Sequence, residues 1–142
     1  MSCHQLIYAS RPTVEVNEAL INDILTKALS RNYALQISGL LVFYHGAFMQ
    51  LIEGNKDALD ELFGSIRQDK RHDDIRVLLE TESRNRCMPT WAMGFTMGDE
   101  FSAGIKDRSF YISCDQARDF CKLMPESVGN LFIDFMREPP RD

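Results

Sequence analysis

Runs of apolar residues mark five candidate strands between residues 5 and 97. Two of these strands flank a tight turn at His45-Gly46, where a glycine can take positive φ. Both are apolar on their two faces, which predicts a sheet that is covered on both sides. A polar link, residues 81–88, precedes the last strand. The strands are Gln5 to Ser10, the two arms of the hairpin Ile37 to Gly54, Ile75 to Glu80, and a run that Pro89 opens and Met97 ends.

Apolar residues at helical spacing separate the strands. One stripe, Val16 to Leu29, predicts a helix that ends near Asn32. A second helix follows Asn55, a favourable N-cap residue, and has its inward stripe between Leu59 and Ile66. Gly64 lies inside this second helix at a cost of about 1 kcal/mol relative to Ala, so we expect it to mark a close approach to a neighbouring element.

The order of these elements predicts an α+β fold, a ferredoxin-like sandwich. It has a βαββαβ core with an additional strand, a five-stranded mixed sheet and two helices on one face. This domain takes up residues 1–98, and residues 99–142 hold a linker and two C-terminal helices. Ser113 and Gln116 form a capping box for the first of these helices, and Pro125 separates it from the second. We expect the pair to cover the second face of the sheet or to make an oligomer contact.

Composition narrows the classes of function. The chain has 142 residues and a formal net charge of −5. This charge argues against direct binding to nucleic acids or to anionic membranes, because both need a basic face. The N-terminus lacks the pattern of a secretion signal, and no apolar run approaches the length of a bilayer span. Four scattered cysteines are typical of reduced thiols in a cytoplasmic protein.

Gln50 is the residue that breaks the apolar pattern of the hairpin. It lies between Met49 and Leu51, and a buried amide without partners costs about 1–3 kcal/mol. Tyr8 falls on an alternation face that Gln50 can share, so the phenol and the amide come within hydrogen-bond reach if their strands are neighbours. The amide therefore indicates a polar partner inside the fold.

Three further polar residues are expected near this pair. Asn32 ends the first helix, and Asp69 and Arg71 follow the second, so they ring a slot between the helices, a usual place for a flat ligand. Taken singly, each also has a purely structural interpretation, such as a helix end or a surface ion pair. No Ser-His-Asp, Cys-His or phosphate-loop motif is evident, so we expect neither an enzyme nor a metal site.

Six short motifs follow one another between residues 5 and 97. They are LIYAS with Tyr8, RN with Asn32, SGLLVF, FMQLIEG with Gln50, IRQDKRH with Ile66, Asp69, Arg71 and His72, and W-x-M with Trp91 and Met93. Any one of them is a weak signal, but all of them in this order resemble the BLUF family, blue-light sensors that use flavin. With two helices beyond the domain, the chain looks like a short, stand-alone member.

The resemblance implies a flavin held non-covalently between the two helices. The cofactor implied is FAD, with FMN or riboflavin as alternatives. By analogy with the family, Asn32 bonds the polar edge of the ring, Asp69 bonds a ring N–H, and Arg71 bonds a carbonyl or a nearby polar edge. His72 belongs to the same cofactor-binding set. Some members have a basic residue where this chain has Ser65, which leaves the choice between FAD and FMN open.

Further roles implied by the resemblance concern the ring faces and the photochemistry. Ile24 and Ile66 sandwich the flavin ring, and Gln50 bridges the Tyr8 hydroxyl to the N5/O4 edge. Under blue light Tyr8 gives up an electron and its proton moves through Gln50, whose amide rearranges and donates to O4. The stronger hydrogen bond shifts the visible band to the red, and the state relaxes in the dark.

The resemblance also implies an output. Trp91 and Met93 on the fifth strand relay the signal, together with the C-terminal helices, to a downstream protein that the sequence does not identify. We also expect self-association into a homo-oligomer. Two alternatives stay open at this point. One is a light-insensitive interaction module that has lost its flavin, and the other is a small flavoprotein or acylphosphatase-like enzyme on the same fold.

Overall fold

The structure is a computed structural model that describes residues 3–88, 94–97 and 111–137. Its elements in chain order are β1 (Cys3–Pro12), α1 (Glu18–Ala34), β2 (Ser38–Tyr44), β3 (Ala47–Gly54), α2 (Lys56–Gln68), β4 (His72–Ser83), β5 (Gly94–Met97), α3 (Cys114–Cys121) and α4 (Glu126–Phe135). The strands form one sheet in the order β4-β1-β3-β2-β5. All neighbours are antiparallel except β2 and β5, which are parallel. The predicted ferredoxin-like sandwich with an added strand is confirmed.

The two helices α1 and α2 cover one face of the sheet, and each packs on its own apolar cluster. Ile21 of α1 is buried with Phe95 and other residues of β2, β3 and β5. Leu62 of α2 is buried with Ile52 and with residues of β1. Because the two clusters are separate, the helices stand side by side on the sheet, each with its own contact surface.

The helices α3 and α4 cover the other face. The capping box of Ser113 and Gln116 begins α3 as predicted. These helices were expected either on the second face of the sheet or in an oligomer contact, and in the structure they pack on the second face. The expected boundary between residues 98 and 99 lies outside the described residues. The buried cluster on this face joins Ile7, Leu40, Val42, Met49 and Leu51 of the sheet to Ala117, Cys121, Val128 and Phe132 of the helices.

The hairpin of β2 and β3 sets the register of the central strands. His45 and Gly46 both have positive φ, 49° and 77°, as a two-residue hairpin turn of the primed type requires. The register continues into β1, where Tyr8 lies directly opposite Gln50. Two residues that are far apart in sequence are therefore neighbours on adjacent strands.

β4 is longer than predicted and takes in part of the expected polar link. It pairs with β1 from His72 opposite Pro12 to Ser83 opposite Cys3. Residues 81–83 were expected outside the strand because they are polar. They are accommodated because β4 lies at an edge of the sheet, where polar side chains are solvated. Among the helices in the described ranges, none is long and apolar enough to cross a membrane.

The expectation that Gly64 marks a close approach is wrong. Gly64 is exposed on α2, and a Cβ at this position would have nothing within 4 Å. The close approach occurs instead at Gly39 on β2, where a Cβ would lie 2.1 Å from the carbonyl oxygen of Leu51. Gly64 therefore brings the helix a conformational cost with no compensating contact.

Gly64→Ala should stabilise the protein. Alanine removes the cost of glycine in an exposed helix interior, so we expect the free energy of unfolding to rise by about 0.5–1 kcal/mol in urea titrations. Gly39→Ala is the matched control and should lower the same quantity, because its methyl group collides with backbone. A loss of stability in Gly64→Ala would contradict this account of α2.

Candidate functional site

Tyr8 and Gln50 form a hydrogen-bonded pair inside the fold. The Tyr8 hydroxyl donates to Gln50 Oε1, and the two residues are only 4% and 6% exposed. The pair exists because β1 and β3 are neighbours and place both side chains on the same face in direct register. The buried amide of Gln50 thus has the polar partner that its position in an apolar strand predicted.

A cavity of about 600 Å³ lies over this pair, with α1 and α2 as its walls and the sheet as its floor. This volume falls within the usual range for small-molecule sites. All the residues predicted to bind the cofactor line the cavity, although they belong to five different elements and to the turn after α2. They are Tyr8, Ile24, Asn32, Gln50, Ile66, Asp69, Arg71 and His72.

Asn32 reaches the cavity from the last turn of α1. It is buried, and its backbone carbonyl accepts a hydrogen bond of 2.8 Å from the N–H of Ile37, which fixes the end of the helix next to β2. Ile24 and Ile66 supply apolar surface from the two walls, one from each helix. The cavity therefore has aliphatic side chains on its two walls. It has polar side chains at the end of α1 and, next to Leu41 and Phe48, on the sheet.

Arg71 ties the two walls together. Its guanidinium donates to Asp69 Oδ2 at 2.7 Å and to Asp23 Oδ2, on α1, at 2.7 Å. The hydrogen bonds from Arg71 lower the pKa of Asp69 to about 2, so this carboxylate stays ionised throughout the range in which the protein is handled. The prediction missed Asp23, because a carboxylate on an amphipathic helix is typical of a solvated surface.

His72 is held by protein on both sides of its ring. Nδ1 lies 2.7 Å from Ser10 Oγ, and Nε2 lies 2.7 Å from the carbonyl oxygen of Ile66. A carbonyl can only accept, so Nε2 carries a hydrogen. His72 thus links β1 to the last turn of α2 and fixes the position of Ile66 in the wall. Its predicted part in binding the cofactor stays a prediction.

The surroundings of Tyr8 keep its hydroxyl protonated. Burial, with a smaller contribution from the negative charge of Asp69, raises the pKa of Tyr8 well above its ordinary value. The ring packs against Phe63, with ring centres 5.5 Å apart. The phenol is therefore a hydrogen-bond donor at every pH in ordinary use.

Four basic side chains line the cavity. They are Lys27 and Arg31 of α1, Lys70 after α2, and Arg71. Lys27 forms an ion pair of 3.1 Å with Asp23, which also pairs with Arg71. The prediction missed Lys27, Arg31 and Lys70, because single basic residues on a helix or in a turn are typical of a solvated surface. Ser65 also lines the cavity, whereas the predicted relay residues Trp91 and Met93 lie outside the described residues.

The fold and the cavity define a class: an α+β sandwich with a site for a flat small molecule between two helices. A sequence model of a family in this class, BLUF, described as sensors of blue-light using FAD, matches residues 3–94. The chain belongs to the BLUF family of blue-light flavin sensors.

Individual relatives agree with this assignment. A photoactivated adenylate cyclase subunit beta of Euglena gracilis is 34% identical in an alignment that covers 96% of this chain and 16% of the relative. The corresponding subunit of Euglena longa is 35% identical over 62% of this chain and 10% of its own length. The chain thus spans about a sixth or less of these relatives.

Solved structures are similar as well. The dark-state structure of BlrB, a BLUF protein, superposes with a TM-score of 0.68 at 28% identity, and the match covers 92% of each chain. The ground state of BlsA gives a TM-score of 0.65 at 30% identity over 70% of this chain and 66% of the other.

The cofactor of the family is a flavin, FAD, and the cavity fits one. A flavin ring needs apolar surface on its faces and hydrogen-bonding groups along one edge. Ile24 and Ile66 offer the first from opposite walls, and Asn32, Gln50 and Asp69 offer the second. The basic side chains in the lining match the phosphates of FAD in charge. FMN satisfies the same requirements.

Proposed function

We propose that this chain senses blue light through the Tyr8–Gln50 hydrogen bond and passes the signal to a protein partner. The observation that carries the proposal is the direct, buried bond from the Tyr8 hydroxyl to Gln50 Oε1 on the floor of the cavity. It supports the proposal because a phenol and an amide in this arrangement can exchange a proton without help from water.

A bound flavin supplies a strong oxidant when it absorbs blue light. Tyr8 is the electron donor, since it is a protonated phenol that lines the cavity and is shielded from solvent. Gln50 Oε1 holds the proton that leaves the Tyr8 oxygen, because this atom already accepts the hydrogen bond. Asp69 keeps its charge throughout and contributes a fixed acceptor at the cavity.

The Gln50 amide then differs between the dark state and the state formed by light. When the electron and the proton both return to Tyr8, the amide is left rearranged, by rotation or by tautomerisation, with its donor group in a stronger hydrogen bond toward the cavity. The reverse rearrangement restores the dark state. No covalent bond forms in these steps, so the light-driven cycle is reversible.

The output follows from the packing around Gln50. Its neighbour Met49 points to the opposite face of the sheet and is buried in the cluster that contains α3 and α4. A shift of β3 therefore reaches the C-terminal helices directly. Trp91 and Met93 stay the predicted relay on the fifth strand. The relatives are subunits of photoactivated adenylate cyclases, and we infer that this chain likewise signals to a protein.

The experiment is the visible spectrum of the purified, flavin-loaded protein before and after blue light. We expect a small red shift of the flavin band that reverses in the dark. A yellow protein whose band ignores illumination would overturn the proposal and leave a light-insensitive module. Turnover of a substrate in darkness would favour an enzyme instead.

The basic side chains that line the cavity should favour FAD over riboflavin. Replacing Lys27 and Lys70 together by Gln removes two positive charges from this lining, so we expect the Kd for FAD to rise by about 2- to 30-fold at low salt. The Kd for riboflavin, which has no phosphate, should not change. Both constants can be measured by quenching of flavin fluorescence.

Lys56→Gln combined with Lys122→Gln is the matched control, because these exposed lysines lie on α2 and after α3, away from the cavity. It should leave both constants as they are. Equal weakening of FAD and riboflavin binding in the Lys27 and Lys70 variant would mean that these lysines act on the ring and not on the phosphates.

A further inference from the structure

Three buried polar side chains cross the centre of the sheet on the face opposite to Gln50. Glu53 of β3 lies in register with Gln5 of β1 on one side and with Ser38 of β2 on the other. All three are almost fully buried, and Glu53 is 0% exposed. Side-chain alternation along β3 puts Glu53 on the face that α3 and α4 cover.

The Glu53 carboxylate is fully hydrogen bonded. Oε1 accepts from Gln5 Nε2 at 3.0 Å and from the backbone N–H of Cys87 at 2.8 Å. Oε2 accepts from Ser38 Oγ at 3.1 Å and from the backbone N–H of Met88 at 2.6 Å. A carboxylate is retained in a protein interior only when such donors replace water.

Two of these four donors belong to the segment that connects β4 to β5. Arg86 in the same segment also donates, to Ser38 Oγ at 3.1 Å and to the Glu53 carbonyl oxygen at 3.4 Å. The Met88 side chain is buried in the cluster that holds α3 and α4. The Glu53 carboxylate therefore fastens β3 to Cys87 and Met88, which precede β5 and pack in the cluster that contains the C-terminal helices.

Glu53 and Gln50 lie three residues apart on the same strand. β3 is paired on both sides, with β1 and with β2, so it moves as a unit. A displacement of β3 that starts at Gln50 is carried to Cys87 and Met88 through the Glu53 carboxylate. The same carboxylate resists the displacement, because its bonds have to follow or break.

We propose that Glu53 is a positioning residue for signal output: it couples the strand that carries Gln50 to the connection between β4 and β5, and so sets the lifetime of the light state. This inference rests on the proposed light-sensing function. It assigns the regulation of that function to a residue that does not line the cavity.

Glu53→Gln in the flavin-loaded protein tests the coupling. The amide has nearly the shape of the carboxylate but only one acceptor oxygen, so one backbone N–H of the connection loses its partner. We expect a light-induced shift of normal size, since the cavity is untouched, and a rate of dark recovery that changes by about 3-fold or more. Glu61→Gln, at an exposed carboxylate on α2, should recover like the wild type.

Hydrogen exchange of the wild-type protein gives an independent test that needs no variant. The amides of Cys87 and Met88 should be protected in the dark and exchange faster, by about 10-fold or more, under continuous blue light. Merely structural bonds to Glu53 would give equal protection in both states. Equal exchange in light and dark, or normal recovery in a folded Glu53→Gln variant, would overturn the role of Glu53.

These outcomes separate the two proposals. If the wild-type protein shows a normal shift of the flavin band but equal hydrogen exchange at Cys87 and Met88 in light and dark, the role of Glu53 is contradicted and the Tyr8–Gln50 mechanism is not. If the wild-type protein shows no shift of the flavin band, the light-sensing proposal itself is contradicted.

Discussion

Tyr8→Phe should bind flavin and lose its entire response to blue light. The substitution removes one oxygen atom, and with it the electron donor and the proton that Gln50 accepts. The ring still packs against Phe63, so the floor of the cavity keeps its shape. Gln50 Oε1 loses a buried donor, which should lower the free energy of unfolding by about 1–3 kcal/mol. Absorption spectra before and after illumination measure the response.

Tyr33→Phe is the matched control. Tyr33 lies on α1 and is 81% exposed, so the same loss of a hydroxyl should leave the shift, its recovery and the stability unchanged. A normal light-induced shift of the flavin band in Tyr8→Phe would contradict the proposed mechanism, even though the predicted fold is correct.

Ile24→Trp should abolish flavin binding without unfolding the protein. Ile24 is a half-buried residue in the wall of the cavity, and an indole there occupies the space between α1 and α2. We expect the Kd for FAD to rise by at least about 100-fold, or about 2.7 kcal/mol, and the purified protein to be colourless. Fluorescence titration gives the Kd, and circular dichroism confirms the fold.

Val14→Trp adds the same side chain at an exposed position before α1 and should leave the protein yellow. If Ile24→Trp retains flavin at wild-type affinity, the cofactor does not lie in the cavity between the helices. The test is independent of photochemistry, because it measures occupancy of the site and not the response to light.

Sequence patterns were sufficient to predict the fold and the central pair. The apolar hairpin requires a sheet covered on both faces, and the element order leaves little choice of topology. Once β1 and β3 are neighbours, alternation alone brings Tyr8 and Gln50 to one face. The family motifs then extended the predicted site to residues of both helices, and all of them line one cavity.

What the patterns missed depends on side-chain partners that spacing does not encode. Asp23 was not singled out, because only the folded chain brings it to Arg71, 48 residues away. Glu53 precedes a glycine at the end of a strand, a position typical of a solvated turn, yet it is fully buried. The length of β4 was underestimated because an edge strand tolerates charges that the pattern treats as a link.

α1 and α2 pack on two separate apolar clusters, and this has a consequence for the protein without flavin. Each cluster joins its helix to the sheet, and the ion pair of Arg71 with Asp23 links the two sides of the cavity. The gap between them should therefore survive removal of the chromophore, with Arg71 bracing one end. We therefore expect that the flavin can be removed and replaced by synthetic isoalloxazines with altered colour or redox potential while the protein stays folded.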